Sequence, residues 1–291
     1  MGADLYEESP AARQTFEEAD DILGFSLSKL CFWGPEEDLT QTVNAQPAIL
    51  AASVASLRAL TEAHGGLPGG APAFVAGHSL GEYTALVSAG TLGFADALRL
   101  VRERGRLMQY AGQVREGGMA AILGLDDSLV EQVCQQTGAE IANINSSGQI
   151  VISGAKDALV RAIDLARAMG ARKAIPLGVS GAFHSSLMEP AVPGMVEALE
   201  KARMVKAAVP VVSNTWAVPL SDEWEIRTEL AEQLVRCVQW SKSVDFMVRS
   251  GVGAFVEIGP GRVLTSLAKR IAPDAKAIAV NDLASVRAFA L

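Results

Sequence analysis

Cysteine, histidine and basic side chains are all scarce in this 291-residue chain. Three cysteines, Cys31, Cys134 and Cys237, are odd in number and far apart, with no CxxC pair and no Cys/His cluster. That excludes a disulfide framework and a structural zinc site, and fits a reducing cytoplasm. Lys and Arg number 25 against 33 Asp and Glu, a formal net charge of −8. The basic footprint that nucleic acid requires is missing, and so is the basic tract that holds a protein on an anionic membrane. No apolar run reaches the roughly 18 residues of a spanning helix. The nearest stretch, Ala45 to Leu60, is interrupted by Arg58. The opening MGADLYEESP has neither the basic region nor the apolar region of a signal peptide. Neither nucleic acid nor membrane is therefore an expected partner. Hydrophobic residues make up 49% of the chain, ample for a buried core, so global disorder is excluded.

Short apolar runs alternate with helical patterns, which predicts an α/β protein. Ser9-Pro10 opens a helix to about Leu23, and a long Ala-rich helix runs from Gln46 to His64 before Gly65-Gly66. Residues 74–76 read as a buried strand, with a helix after Ser79 and another over about 95–110. The middle of the chain changes character. Strands at 119–125, 140–144, 148–154 and 171–177 frame helices at 127–137 and 156–169. This βαββαβ order is the ferredoxin-like signature. It predicts a small lobe over 113–185 inserted into a large lobe made of 1–112 and 186–291. Later elements are a strand near 209–212, helices at 224–238 and 241–250, the strand AFVEI and a helix from Arg262. The cleft between lobes is the expected binding site.

Gly77-His78-Ser79-Leu80-Gly81 fits G-x-S-x-G and lies between a predicted strand and a predicted helix. Such a turn pushes the serine Oγ outward and aims helix N-terminal N–H groups at an oxyanion. Serine needs a base. Only three histidines are available. His78 adjoins the serine and is directed elsewhere by the turn, and His64 borders an exposed Gly/Pro loop. His184, in GAFHSSLM where the small lobe rejoins the large one, is left as the base, with an expected gain of roughly 10²–10⁴ in rate. A backbone carbonyl can orient its imidazole as well as a carboxylate can. On the helix after the elbow helix, Arg99, Arg102, Arg104 and Arg106 compete as a clamp for a substrate carboxylate. Spacing alone does not choose among them. The GPG at 259–261 reads as a strand-to-helix turn, with phosphate contact at a helix N-terminus as the alternative.

These residues, with AQPAIL (45–50), GHSLGEYTAL (77–86), NINSSGQIVISG (143–154), FHSSLM (183–188), QLVRCVQW (233–240) and EIGPGRVLTSLAKRI (257–271), resemble the malonyl-CoA:acyl carrier protein transacylases, the acyltransferase family of fatty acid and polyketide synthesis. The resemblance implies an α/β-hydrolase-like large lobe with an inserted ferredoxin-like small lobe. It implies Ser79 as nucleophile, His184 as base, the Gln233 backbone carbonyl as the group orienting the imidazole, and the Leu80 N–H as an oxyanion donor. It selects Arg104 as the anchor of the malonyl carboxylate, and places Gln46, Phe183, Asn143 and Asn145 in the substrate pocket. Leu80 and Phe183 resemble the malonyl-type choices. Bulk there would exclude an α-methyl group by only ~1–3 kcal/mol. Acetyl would leave a buried guanidinium unpaired.

The implied partners are malonyl-CoA and acyl carrier protein, with no metal or other cofactor, a monomeric state and a cytoplasmic location. The family ordinarily begins with an apolar strand and a GQGSQ-type loop whose N–H completes the oxyanion hole. This sequence begins at MGADLYEE, after that segment, so the expectation is an abbreviated N-terminus. A free-standing module favours fatty acid biosynthesis over a trans-acting polyketide role. A serine hydrolase or thioesterase shares the elbow and is the competing reading, although no histidine follows His184.

Overall fold

The computed structural model describes residues 1–290 as a mixed α/β protein. Among these residues nine strands form three sheets. They are β1 (Val75–Ala76), β2 (Gly117–Leu123), β3 (Glu140–Ser146), β4 (Gln149–Ala155), β5 (Lys173–Pro176), β6 (Val211–Val212), β7 (Pro219–Leu220), β8 (Ala254–Ile258) and β9 (Lys276–Val280).

The sheet order β3-β4-β2-β5 is antiparallel throughout, and helices Asp127–Thr137 and Lys156–Ala168 fall between its strands in the chain. Alternate residues of β2 and β4, among them Ala120, Ile122, Ile150 and Ile152, enter a separate apolar core with Val130, Val133, Leu159 and Ala162 of those helices. Period-two strands facing period-3.6 helices explain why this segment packs as its own layer pair.

The other residues surround the helix Thr42–His64. It is buried on several sides at once, and its alanines let neighbouring helices approach closely. A Cβ on Gly105, in helix Phe94–Val114, would stand 2.7 Å from the Thr42 carbonyl oxygen. That close crossing places Gln46 and Arg104 side by side. Pro47 sits inside this helix past its first turn, where its missing N–H leaves the Val43 carbonyl without a ladder donor, and Arg102 Nη1 donates to that carbonyl at 2.7 Å instead.

β1 and β6 run parallel, with β7 antiparallel beside β6. β8 and β9 form a parallel pair. β7 and β9 escape the sequence reading: one has two residues, and the other, KAIAV, is rich in alanine, a weak strand former. The expected helix over 224–238 ends at Glu232. The carbonyl of Gln233, the residue just beyond it, meets the His184 imidazole. Among the described residues no helix is long and apolar enough to cross a membrane.

Candidate active site

β1 delivers the chain to Gly77, and the helix Gly81–Ser88 carries it away. Between them Ser79 takes φ 52°, a left-handed conformation that non-glycine residues hold only under tertiary constraint. Two features impose it. A Cβ on Gly77 would lie 2.0 Å from backbone atoms of Gly81, so the turn closes only with glycine there. The Asn214 carboxamide spans the turn from outside: its Oδ1 accepts from the Ser79 N–H at 2.7 Å, and its Nδ2 donates to the Gly77 carbonyl at 2.7 Å. The Leu80 N–H has no acceptor among the described residues, as an oxyanion donor requires.

His184 approaches from the segment after β5, also left-handed at φ 57°. Its Nδ1–H donates to the Gln233 carbonyl at 2.7 Å, which fixes the tautomer and leaves Nε2 as acceptor 2.8 Å from Ser79 Oγ. Burial, and then the Arg104 charge, pull the imidazole down to about 3. It is therefore neutral and ready to accept a proton at physiological pH.

Arg104 is 1% exposed. Nη1 donates to Gln46 Oε1 at 2.7 Å, and Nη2 donates to Ser79 Oγ at 2.9 Å and to Gln233 Oε1 at 2.8 Å. Its guanidinium lies over the Tyr83 ring, 5.6 Å from the centroid. Every hydrogen-bond acceptor is neutral, and among the described residues no carboxylate comes within ion-pair distance. The expectation that a carboxylate-free acyl group leaves this cation bare is thus corrected: neutral acceptors already hold both terminal nitrogens, and only Nε is without a partner. Of the four competing arginines, Arg106 pairs with Glu103, Arg99 with Asp96, and Arg102 reaches the Val43 carbonyl.

Gln46 lies beside Arg104, its Nε2 held by Thr42 Oγ1 at 2.9 Å. Phe183 precedes His184 and packs against Met119, Ala142 and Val151 of the four-stranded sheet as well as the main core. Asn145 Oδ1 bonds His78 Nε2 at 2.8 Å, so His78 serves as a wall beside the nucleophile, against Trp240. Asn143 is buried in β3, where its backbone bridges Val238. No side-chain hydrogen bond joins it to Ser79, His184 or Arg104 among the described residues. His64 is exposed and bonds the Val286 carbonyl. At the GPG turn, Glu257 accepts from the Leu264 and Thr265 N–H groups, so the helix N-terminus is capped by the protein itself and the turn reading holds. Among the described residues no group of three or more His, Cys, Asp or Glu is placed to hold a metal.

Asn214, Glu82 and the Gln233 side chain join the site without having been singled out in the sequence. Glu82 Oε1 accepts from the Asn214 N–H at 3.2 Å, and Oε2 accepts from Gln233 Nε2. Burial, and then the neighbouring Glu229, push the Glu82 carboxyl well above the ordinary carboxylate range. The one available signal was that Glu82 lies a helical turn beyond the serine, on the face that carries Tyr83 and Leu86 inward.

Fold and geometry together define a mixed α/β protein presenting a serine–histidine pair on a strand-to-helix turn, with a buried arginine beside the hydroxyl. The family described as acyl transferase domain matches residues 1–286. The malonyl CoA-acyl carrier protein transacylase of Bacillus subtilis is 46% identical over 287 residues, covering 97% of this chain and 89% of that protein. The crystal structure of an acyl carrier protein S-malonyltransferase from Vibrio cholerae superposes with a TM-score of 0.94 at 43% identity, over 99% of this chain and 94% of the other. A malonyl-transacylase solved in complex with its type II PKS acyl-carrier protein gives a TM-score of 0.94 at 45% identity, over 98% and 93%. The chain belongs to the acyl transferase domain family and is an acyltransferase.

Proposed function

We propose that this chain transfers the malonyl group of malonyl-CoA to the pantetheine thiol of acyl carrier protein through a malonyl-serine intermediate, for fatty acid biosynthesis. The observation that carries the reading is Arg104: a buried cation without a carboxylate partner among the described residues, 2.9 Å from a serine hydroxyl that is itself 2.8 Å from a neutral imidazole. A nucleophile so placed favours acyl groups that bring their own negative charge.

Arg104 anchors the acyl carboxylate through parallel hydrogen bonds. Ser79 Oγ attacks the thioester carbon while its proton passes to His184 Nε2. The resulting oxyanion meets the Leu80 N–H. On collapse the C–S bond breaks, and the CoA sulfur leaves with the proton from His184. The carrier thiol then gives its proton to His184 and attacks the malonyl-serine, and Ser79 recovers its hydrogen as that ester breaks. Each half-reaction balances with the imidazole as sole proton carrier, so the reaction asks for no metal and no further cofactor.

Supporting the same reading at the level of architecture, the sheet order β3-β4-β2-β5 with its two helices fits a ferredoxin-like small lobe over 113–185. Residues 1–112 and 186–291 then form an α/β-hydrolase-like large lobe. The chain works as a cytoplasmic monomer, away from membrane and nucleic acid.

Intact-protein mass spectrometry after mixing with malonyl-CoA tests the proposal. One malonyl adduct, lost in Ser79→Ala and discharged faster by carrier-protein thiol than by water, is expected. Discharge to water at the same rate as to thiol would make the chain a hydrolase.

A further inference from the structure

We propose that the Gln233 carboxamide is a specificity-determining positioning group: it stands between Arg104 and Glu82, holding that carboxyl group off the guanidinium so that the acyl carboxylate is the anion left to pair with it. The inference rests on the reading of Arg104 as the acyl anchor.

Three side chains, each at most 2% exposed, form a line. Arg104 Nη2 donates to Gln233 Oε1 at 2.8 Å, and Gln233 Nε2 donates onward to Glu82 Oε2 and to the Ser79 carbonyl at 3.0 Å. A buried guanidinium in direct contact with a carboxyl group ordinarily draws it into an ion pair, the carboxyl giving up its proton, because the bidentate bond between the two charges is strong. Here one amide thickness separates them. Glu82 is also tethered at its other oxygen by the Asn214 N–H, and it lies three residues after the nucleophile in a helix that begins at Gly81, so it cannot reach Arg104 without abandoning both partners. The amide keeps the carboxyl group at a distance and leaves the cation's directional donors on neutral, displaceable acceptors. An incoming acyl carboxylate then replaces weak acceptors. Had Glu82 paired directly, the substrate would have to expel a protein carboxylate or sit beside it.

The residue does this with its side chain alone. Its backbone carbonyl orients His184, and that contact is independent of what the side chain is. The two functions are therefore separable by substitution.

The test is Gln233→Glu in the full-length chain, which sets a carboxylate directly on Arg104. Wild type and Arg104→Ala are assayed alongside for kcat and KM with malonyl-CoA and acetyl-CoA, and thermal melting confirms folding. The ratio of malonyl to acetyl kcat/KM is expected to fall about 100-fold, the scale of losing a charge-assisted pair, with the malonyl loss mainly in KM. Chemistry at Ser79 and His184 is common to both substrates, so a purely structural disturbance lowers both and leaves the ratio unmoved. If the single variant does not fold, the exchange Glu82→Gln with Gln233→Glu conserves composition and net charge and is expected to give the same collapse. A ratio within about threefold of wild type in a folded variant overturns the proposal, provided Arg104→Ala collapses it. If Arg104→Ala also leaves the ratio intact, the anchor reading itself falls.

Discussion

At Ser79 the reactive hydroxyl is held by two groups of opposite sense: an imidazole that accepts its proton and a guanidinium that donates to its oxygen. The same cation pulls the imidazole pKa down. Arg104→Ala should therefore act twice. Malonyl transfer is expected to fall by ~2–4 kcal/mol of transition-state stabilisation, with acetyl favoured relative to malonyl, as steady-state rates on both thioesters will report. It should also move the acid limb of the acetyl pH–rate profile to higher pH, because removing a positive neighbour eases protonation of His184. An acid limb that stays in place would mean that burial alone sets the imidazole. Asn214→Ala removes the carboxamide that ties the Gly77 carbonyl to the Ser79 N–H. A drop of about 10–100-fold in kcat and of ~1–3 kcal/mol in unfolding free energy is expected from stopped-flow acylation and denaturant titration. Ser79 and His184 were legible because a motif and a shortage of histidines exposed them. Asn214 and the Gln233 side chain were not: each is a single polar letter in a connecting segment, and its meaning arises only from what folds against it.

Among elements, the two glycines that bracket the serine have unlike jobs. Gly77 faces the backbone of Gly81 with no room for a methyl group, whereas a Cβ on Gly81 meets nothing within 4 Å. Gly77→Ala should destroy the turn and the acylation burst. Gly81→Ala should fold normally and stabilise its helix by up to ~1 kcal/mol, measurable in thermal melts. Gly105→Ala, which drives a methyl against Thr42, should lower the melting temperature and separate Gln46 from Arg104. Strong periodicity made most helices and the four-stranded sheet readable. The early end of the helix Glu223–Glu232 was hidden, because no local breaker marks it in the sequence. The strand KAIAV was hidden for a related reason: only its pairing with AFVEI makes an alanine-rich run extended.

For the whole molecule, burial of ionisable groups sets the response to acid. His184 titrates near 3 when folded and near 6.5 when free, and His78 is lowered in the same direction by burial. Between those values the unfolded chain binds a proton at His184 that the native protein refuses, so this imidazole withdraws stability as pH falls from 6.5 toward 3, by about 1.4 kcal/mol per pH unit, and His78 acts in the same direction. Glu82 and Glu229, raised by burial, act in the opposite sense above 4.5, where they hold protons that the unfolded chain releases. The difference in melting temperature between wild type and His184→Gln, followed across this range, isolates one imidazole and should narrow steadily with acidification. A constant difference would mean that His184 titrates normally in the native state.

The partners of Ser79 come from far along the chain: 105 residues on for His184, 135 for Asn214 and 154 for Gln233. A nascent polypeptide emerging from the ribosome thus carries an ordinary alcohol through most of its synthesis. Only when the segment beyond Gln233 has cleared the exit tunnel does that alcohol become a reagent, so an aborted translation product ending earlier would be unable to capture and waste the cell's activated thioesters.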